Sequence, residues 1–348
     1  MHVLLLHMVT FSSFSFRAFL NTLRAGALAL TLATLPLGAA PVVRADAPAS
    51  QPAAGPSYVP YNEAHPVLAY YYAWWEASRL QAGIHHSSLG LGQNALPWEQ
   101  VIDRPDVMRE HMRLAQVAGV DGFIVNRAID LGRLLELGAP YDFRTTVQVN
   151  AAGGPMSAVG ELSQFMQHAD HPAMVRYQGK PVVFFWRATD SPQWLALRNQ
   201  IDPNRRTVWL ADGDNFNILR NDAFDGISPY QIAWSQTPQT QLPGWGAKAI
   251  AANPHKLYVP PVAPGCNDSP ARAATCIQDR RDGSYYRQTL QGALASNPQW
   301  AVVISTWNEW LEDTQIEPSV EYGDLYLHLT REFADQFKGG VAGALACC

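Results

Sequence analysis

Eight times along this chain a strand-like run is followed by a helix-like amphipathic stretch. That recurrence constrains the fold more than any other feature. The runs are Val67 to Trp74, Gly122 to Asn126, Thr145 to Asn150, Pro181 to Trp186, Thr207 to Ala211, Gly226 to Tyr230, Leu257 to Val262 and Ala301 to Thr306. Helical patterns lie between them, as at Val107 to Ala118, Ala158 to His168, Gln193 to Gln200 and Tyr285 to Ala295, and one closes the series at Asp324 to Phe337. Runs such as Val182-Val183-Phe184-Phe185 and Val302-Val303-Ile304 are nearly continuous in apolar residues, as strands are when both of their faces are covered. Strand then helix, eight times, predicts an α/β chain folded as a (β/α)8 TIM barrel. The alternative is an open doubly wound sheet. Its phosphate-binding glycine pattern is not met, since Gly90-Leu91-Gly92 follows no strand-like run and lacks the third glycine.

The barrel is expected over residues 61–338 as one domain. Before it, Arg17 and Arg24 precede an apolar stretch from Ala25 to Leu37, and Val43-Arg44-Ala45 offers small residues for cleavage. Residues 1–45 therefore read as a signal peptide cut near Ala45, residues 46–60 as a flexible Ala/Pro/Ser linker, and 339–348 as a tail. The expected destination is the periplasm or the cell exterior, with no stable membrane span in the mature chain. Cys266 and Cys276 bracket a loop that a local disulfide would restrain, while Cys347 and Cys348 are either free or linked to another chain. A formal charge of -5 leaves no basic surplus to neutralise a phosphate backbone, which argues against nucleic acid as a partner. The histidines, including the adjacent His85 and His86, lack ligand spacing, so neither a metal nor any other cofactor is expected.

Polar and aromatic residues collect just after each apolar run. In a barrel these positions share the C-terminal rim, where active sites lie. Tyr72 and Trp74 follow the first run, Asn126 and Arg127 the second, Asn150 the third, Trp186 and Arg187 the fourth, Asp212 and Asp214 the fifth, and Tyr230 the sixth. Asn267 and Asp268 follow the seventh. After the eighth comes Trp307-Asn308-Glu309-Trp310-Leu311-Glu312, two carboxylates three residues apart among indoles. Aromatic faces cover sugar rings well, and hydrolysis of a glycosidic bond needs two carboxyl groups, one of them an acid toward the leaving oxygen. The sequence thus nominates Glu309 and Glu312 as catalytic groups. It nominates Tyr72, Trp74, Asn126, Asn150, Tyr230, Arg280, Asn308 and Trp310 as substrate-binding residues, with an oligo- or polysaccharide as substrate.

Taken in order, several segments of the chain resemble the endo-acting α-mannosidases of glycoside hydrolase family 99 and the related WbsX-like proteins. They are Tyr71 to Trp74, His111-Met112 leading to Gly119, Phe224 to Ile227 with Tyr230, Pro260 to Asp268, Arg280 to Tyr286, and Asn308-Glu309-Trp310 with Glu312 and Thr314 to Glu317. The resemblance implies a retaining mechanism with no protein nucleophile. The residue matching Glu309 takes the proton of the sugar 2-hydroxyl, which attacks its own anomeric carbon, and the residue matching Glu312 serves as acid and then as base. For that role Glu312 is expected to sit in an apolar setting supplied by Trp307 and Trp310 that raises its pKa. Leu311 and Asp313 depart from the family pattern, which has a histidine or glycine and then a glycine. Asn126 stands where the family's second strand ends in tryptophan, and Asn150 where a glutamate touches the sugar. Two other functions remain open from the sequence: a carbohydrate-binding barrel without turnover, and an inverting hydrolase resembling the α-1,3-glucanases of family 71.

Overall fold

The computed structural model describes residues 61–74, 104–319 and 321–339. The expected signal segment, linker and tail lie outside the described residues, apart from Gly339. Eight parallel strands form the centre: β1 (Val67–Tyr71), β2 (Gly122–Val125), β3 (Arg144–Asn150), β4 (Lys180–Trp186), β5 (Val208–Ala211), β6 (Gly226–Ile227), β7 and β8 (Val302–Ile304). The seventh is made of two paired stretches, Leu257–Tyr258 and Pro261–Val262. The first pairs with β6 and the second with β8, while β8 also pairs with β1, so the sheet runs once around and closes through β7. Every pairing around the ring is parallel. This is the barrel that the sequence predicts.

The split in β7 has a simple origin. Pro260 and Pro261 carry no N–H, so they can only accept hydrogen bonds from a neighbouring strand. Val303 N–H donates to Pro260 O at 3.1 Å and Ser305 N–H to Val262 O at 2.8 Å, which is the half of a ladder that prolines can support.

Helices follow the strands on the outside: α1 (Pro105–Val117), α2 (Leu131–Gly138), α3 (Pro155–His168), α4 (Gln193–Ile201), α5 (Pro238–Ala252), α6 (Ser284–Ala295) and α7 (Leu325–Gly339). After β5 the chain makes only a 3-10 helix, Phe216–Arg220, so the fifth strand is not followed by the α-helix expected of the ideal repeat. α2 and α5 are not among the helical patterns named above. Pro243 sits inside α5, which blurs its periodicity. No helix among the described residues is long and apolar enough to cross a membrane.

Strand alternation sorts the tyrosines of β1. Tyr70 points into the barrel, with its ring 4.8 Å from that of Tyr230 and 6.3 Å from that of Phe184. Tyr71 points outward, stacks on Phe123 at 4.4 Å and meets His111 of α1 through its hydroxyl at 2.9 Å. Tyr72, one residue past the strand, returns to the inner side, as period-two geometry requires. The result is an aromatic floor beneath the C-terminal rim.

Candidate active site

Both glutamates lie on the loop that leaves β8. Thr306 turns this loop back on itself: its N–H donates to Thr314 O at 2.8 Å, and Ile316 N–H donates to Thr306 O at 3.0 Å. Glu309 N–H donates to the Thr306 hydroxyl at 2.8 Å. The Glu309 carboxylate then accepts the Leu311 N–H at 3.2 Å and caps the 3-10 helix Trp310–Glu312. Residues three apart in a 3-10 turn eclipse one another, so capping by Glu309 also brings Glu312 beside it. Asp313 ends the turn in the left-handed region at φ 49°. Short polar side chains visit that conformation more readily than most, and the Asp313 carboxylate is held at 2.9 Å by Arg280.

A cavity of about 240 Å3 opens over this loop and is lined by Tyr72, Asn126, Gln148, Asn150, Trp186, Tyr230, Glu309 and Glu312. The lining comes from the ends of β1, β2, β3 and β4 and from the loops after β6 and β8. Its volume falls below the ~300–1,000 Å3 of sites that enclose a drug-sized ligand, which suits a single sugar ring. The Tyr72 and Tyr230 hydroxyls meet at 2.5 Å. Burial, with the neighbouring carboxylates adding to it, pushes both phenols well above their ordinary pKa, so they remain neutral donors. Tyr230 is held in place through its N–H, which donates to Asp212 at 2.7 Å.

The two glutamates sit in different surroundings. Glu309 is 6% exposed. Burial first, and then the charge of Glu312, push its carboxyl up to about 8. The Glu312 side chain is 24% exposed and forms an ion pair with Arg272. The apolar setting expected around Glu312 therefore falls on Glu309 instead. Trp307 and Trp310 do not supply it, because both turn toward the helical shell. The Trp307 ring packs 5.4 Å from Phe123 and 6.1 Å from His111. The Trp310 indole N–H donates to Glu317 at 3.3 Å, and Glu317 in turn meets His111 at 3.1 Å.

Of the ten residues nominated from the sequence, Tyr72, Asn126, Asn150, Tyr230, Glu309 and Glu312 line the cavity. Trp74 is not among the lining residues but packs edge-on against Tyr72 at 5.8 Å. Three others are buried supports. Asn308 gives both ends of its amide to the backbone of Tyr72: Tyr72 N–H donates to its Oδ1 at 2.8 Å, and its Nδ2 donates to Tyr72 O at 2.9 Å. Arg280 donates to Gln315 O at 2.9 Å and Asp313 O at 3.0 Å, bracing the glutamate loop from behind. Trp310 is 1% exposed and anchors the loop to Glu317. All three make these contacts within the protein, to the loop after β8 or to the end of β1.

Gln148 and Arg272 are the residues that the sequence reading missed, while Trp186, read as a rim residue but not nominated for binding, also lines the cavity. Gln148 occupies the inner face of β3, in step with Thr146 and Asn150, so its signal was a row of polar side chains at alternate positions around Val147 and Val149. Arg272 reaches the site from the loop after β7 and carries no local signal of that reach.

The family model described as glycosyl hydrolase family 99 matches residues 158–338, from α3 through α7 and including both glutamates. The chain belongs to glycosyl hydrolase family 99. It is similar to a glycoprotein endo-alpha-1,2-mannosidase-like protein of Mus musculus, with 25% identity over 282 residues that cover 67% of this chain and 62% of the relative. A glycoprotein endo-alpha-1,2-mannosidase of Mus musculus is 30% identical over 205 residues, covering 49% of this chain and 44% of the relative. This family 99 chain thus spans less than two thirds of the length of these relatives. Its fold is also that of a solved family 99 endo-alpha-mannosidase from Bacteroides thetaiotaomicron, with a TM-score of 0.66 and 21% identity over 81% of this chain and 99% of that one. The closed eight-strand barrel and the family assignment agree, although each rests on separate observations.

Proposed function

We propose that this family 99 chain is a retaining glycoside hydrolase that acts on α-mannosyl glycans, with Glu309 as base and Glu312 as acid and then base. The observation that carries the proposal is the meeting of Glu309 and Glu312 with the Tyr72–Tyr230 hydroxyl pair in one cavity at the C-terminal rim. A sugar ring seated there would meet the two phenol donors and the two carboxyl groups together. Glu309 removes the 2-hydroxyl proton, O2 bonds to C1, the bond from C1 to the leaving oxygen breaks, and Glu312 gives that oxygen a proton. In the second half Glu312 takes a proton from water, the water oxygen bonds to C1, the C1–O2 bond opens, and O2 recovers its proton from Glu309. Attack by O2 requires that it lie trans to the leaving group, which is true of an α-mannoside and not of an α-glucoside. A carboxylate whose conjugate acid lies near 8 is a stronger base than an ordinary glutamate, as removal of a hydroxyl proton demands. Export to the periplasm or the cell exterior belongs to the same reading and rests on the sequence of residues 1–45.

Leaving-group dependence separates the two roles. With a sugar leaving group, Glu312→Gln should lose about 10²–10⁴ in rate, the usual worth of a general acid. With a dinitrophenyl leaving group, which departs without protonation, its first turnover should recover most of that loss. Glu309→Gln should be slow with both. A first product of inverted anomeric configuration, followed by NMR, would overturn the mechanism, and sugar binding without products from any α-mannoside would overturn the enzyme.

A further inference from the structure

The loop after β7 is a small structure in its own right. Strands Cys266–Asn267 and Ile277–Gln278 pair antiparallel, and a disulfide joins Cys266 to Cys276. Gly265 enters the hairpin at φ 151°, where a Cβ would meet Gln278 O at 2.7 Å and the Arg280 side chain at 2.7 Å, so the hairpin is folded tightly onto Arg280. At its centre Asp268 is 2% exposed. Its carboxylate accepts the N–H groups of Thr275 at 2.8 Å and Cys276 at 3.0 Å, together with the Thr275 hydroxyl and Arg272 Nε at 3.0 Å. Burial opposes this charge, but the hydrogen bonds prevail and hold Asp268 well below the ordinary carboxylate range. A second nitrogen of the same guanidinium, Nη2, donates to Glu312 Oε1.

We infer that Asp268 and Arg272 are positioning residues for Glu312, and that the Cys266–Cys276 bond fixes the frame from which they act. The inference rests on the reading of Glu312 as the acid. A glutamate on a short, partly exposed turn has several rotamers open to it, and giving them up is a cost when the side chain must be fixed. Here the fixing is done by a guanidinium that is itself held by a buried carboxylate. Arg272 uses two nitrogens on two partners, a bridge that the single ammonium of lysine cannot reproduce. Displacement of a catalytic group by ~1 Å costs ~10²-fold in rate, so the restraint bears on turnover more than on stability.

Arg272→Ala tests the inference, since this half-exposed side chain can be removed without opening the core. Two readings are taken on the full chain. One is the ratio of rates with a sugar and with a dinitrophenyl leaving group. The other is the carboxyl 13C resonance of Glu312 at fixed pH, assigned by its loss in Glu312→Gln, which needs no substrate. The ratio should fall about tenfold or more in Arg272→Ala, because protonation of the leaving group is the step impaired. The resonance should move in that variant. Both should move in the same sense in Cys266→Ser/Cys276→Ser and in the wild type after reduction with dithiothreitol, and Arg272→Lys should not restore them. Arg281→Ala, which removes a nearby arginine outside this bridge, should leave both unchanged. An unmoved resonance or an unmoved ratio in Arg272→Ala overturns the inference. If Glu312→Gln itself shows no leaving-group dependence, it is the assignment of Glu312 as acid that fails, and the resonance still decides whether the bridge holds this side chain.

Discussion

Glu309 uses one carboxylate for two purposes, capping the turn that carries Glu312 and facing the cavity as the candidate base. Its burial has a consequence that can be measured. As a base it works ionised, and kcat/KM reports the free enzyme. With its carboxyl pushed up to about 8, the ionised fraction falls about tenfold for each pH unit below that value. With a dinitrophenyl α-mannoside, whose leaving group needs no proton from Glu312, the expected profile therefore climbs by about tenfold per unit toward pH 8 and then levels off. If Glu309 acted instead as the acid, that substrate would not need its proton and the climb toward pH 8 would be missing. A pH series of kcat/KM on that activated α-mannoside separates the two. This part of the chemistry was only half legible in the sequence. The spacing of Glu309 and Glu312 placed both carboxylates at one rim, but which of them is desolvated depends on where Trp307 and Trp310 turn, and both turn to α1 and the outer shell. Asp313 shows the same limit. It stands where the family pattern has glycine, and the left-handed backbone at φ 49° explains the family preference, whereas the Arg280 contact that steadies an aspartate there comes from a residue 33 positions away.

At the scale of elements, the strands were legible because most barrel strands buried on both faces are written as largely apolar runs; six of the eight runs contain the strand found there, and β3 and β4 begin one residue before theirs, at Arg144 and Lys180. The helices were less so. α5 holds Pro243, Gly244 and Gly246 within 15 residues, and the 3-10 helix after β5 has too few residues to show a period. The joints between elements were not legible at all, since they are made by single side chains reaching across loops. Asn308 is the clearest case, because it joins the loop after β8 to the end of β1 by two hydrogen bonds to Tyr72. Asn308→Ala would leave a buried N–H and a buried C=O of Tyr72 without these partners, at about 1–3 kcal/mol each. The expected loss is about 2–4 kcal/mol, read as a lower urea midpoint with an unchanged slope. Activity should fall further than stability alone explains, because Tyr72 would lose the tie that keeps its hydroxyl on Tyr230.

For the molecule as a whole, the two ends of the barrel carry separate duties. The C-terminal rim holds the cavity, while near the opposite end the last turn of α7 is tied to the entry of β2. Lys338, near the end of that helix, donates to Gly119 O at 2.6 Å and to Asp121 Oδ1 at 2.8 Å, and the other oxygen of Asp121 accepts the Val67 N–H at 2.8 Å. One carboxylate thus ties the entry to β2, the start of β1 and the last helix together. Gly119 permits the approach, since its φ is 79° and a Cβ there would lie 2.6 Å from Ala334 of α7. Asp121 is 6% exposed, and burial raises its pKa against the pull of Lys338. Removing the cation should therefore cost more than an exposed ion pair would suggest. Lys338→Met leaves a buried carboxylate without its charge partner, and the expected destabilisation is about 3–5 kcal/mol in urea denaturation. In Lys338→Met/Asp121→Asn the charge is gone as well, and a large part of the loss should return. Both variants should keep the wild-type kcat on any substrate at temperatures where they are folded, because conservation of geometry at the rim depends on β1, β2 and β8 beyond this clasp and not on the clasp itself. A fall in kcat in the folded double variant would mean that the two faces of the barrel are coupled through β1, where Val67 at one end and Tyr72 just beyond the other are only five residues apart.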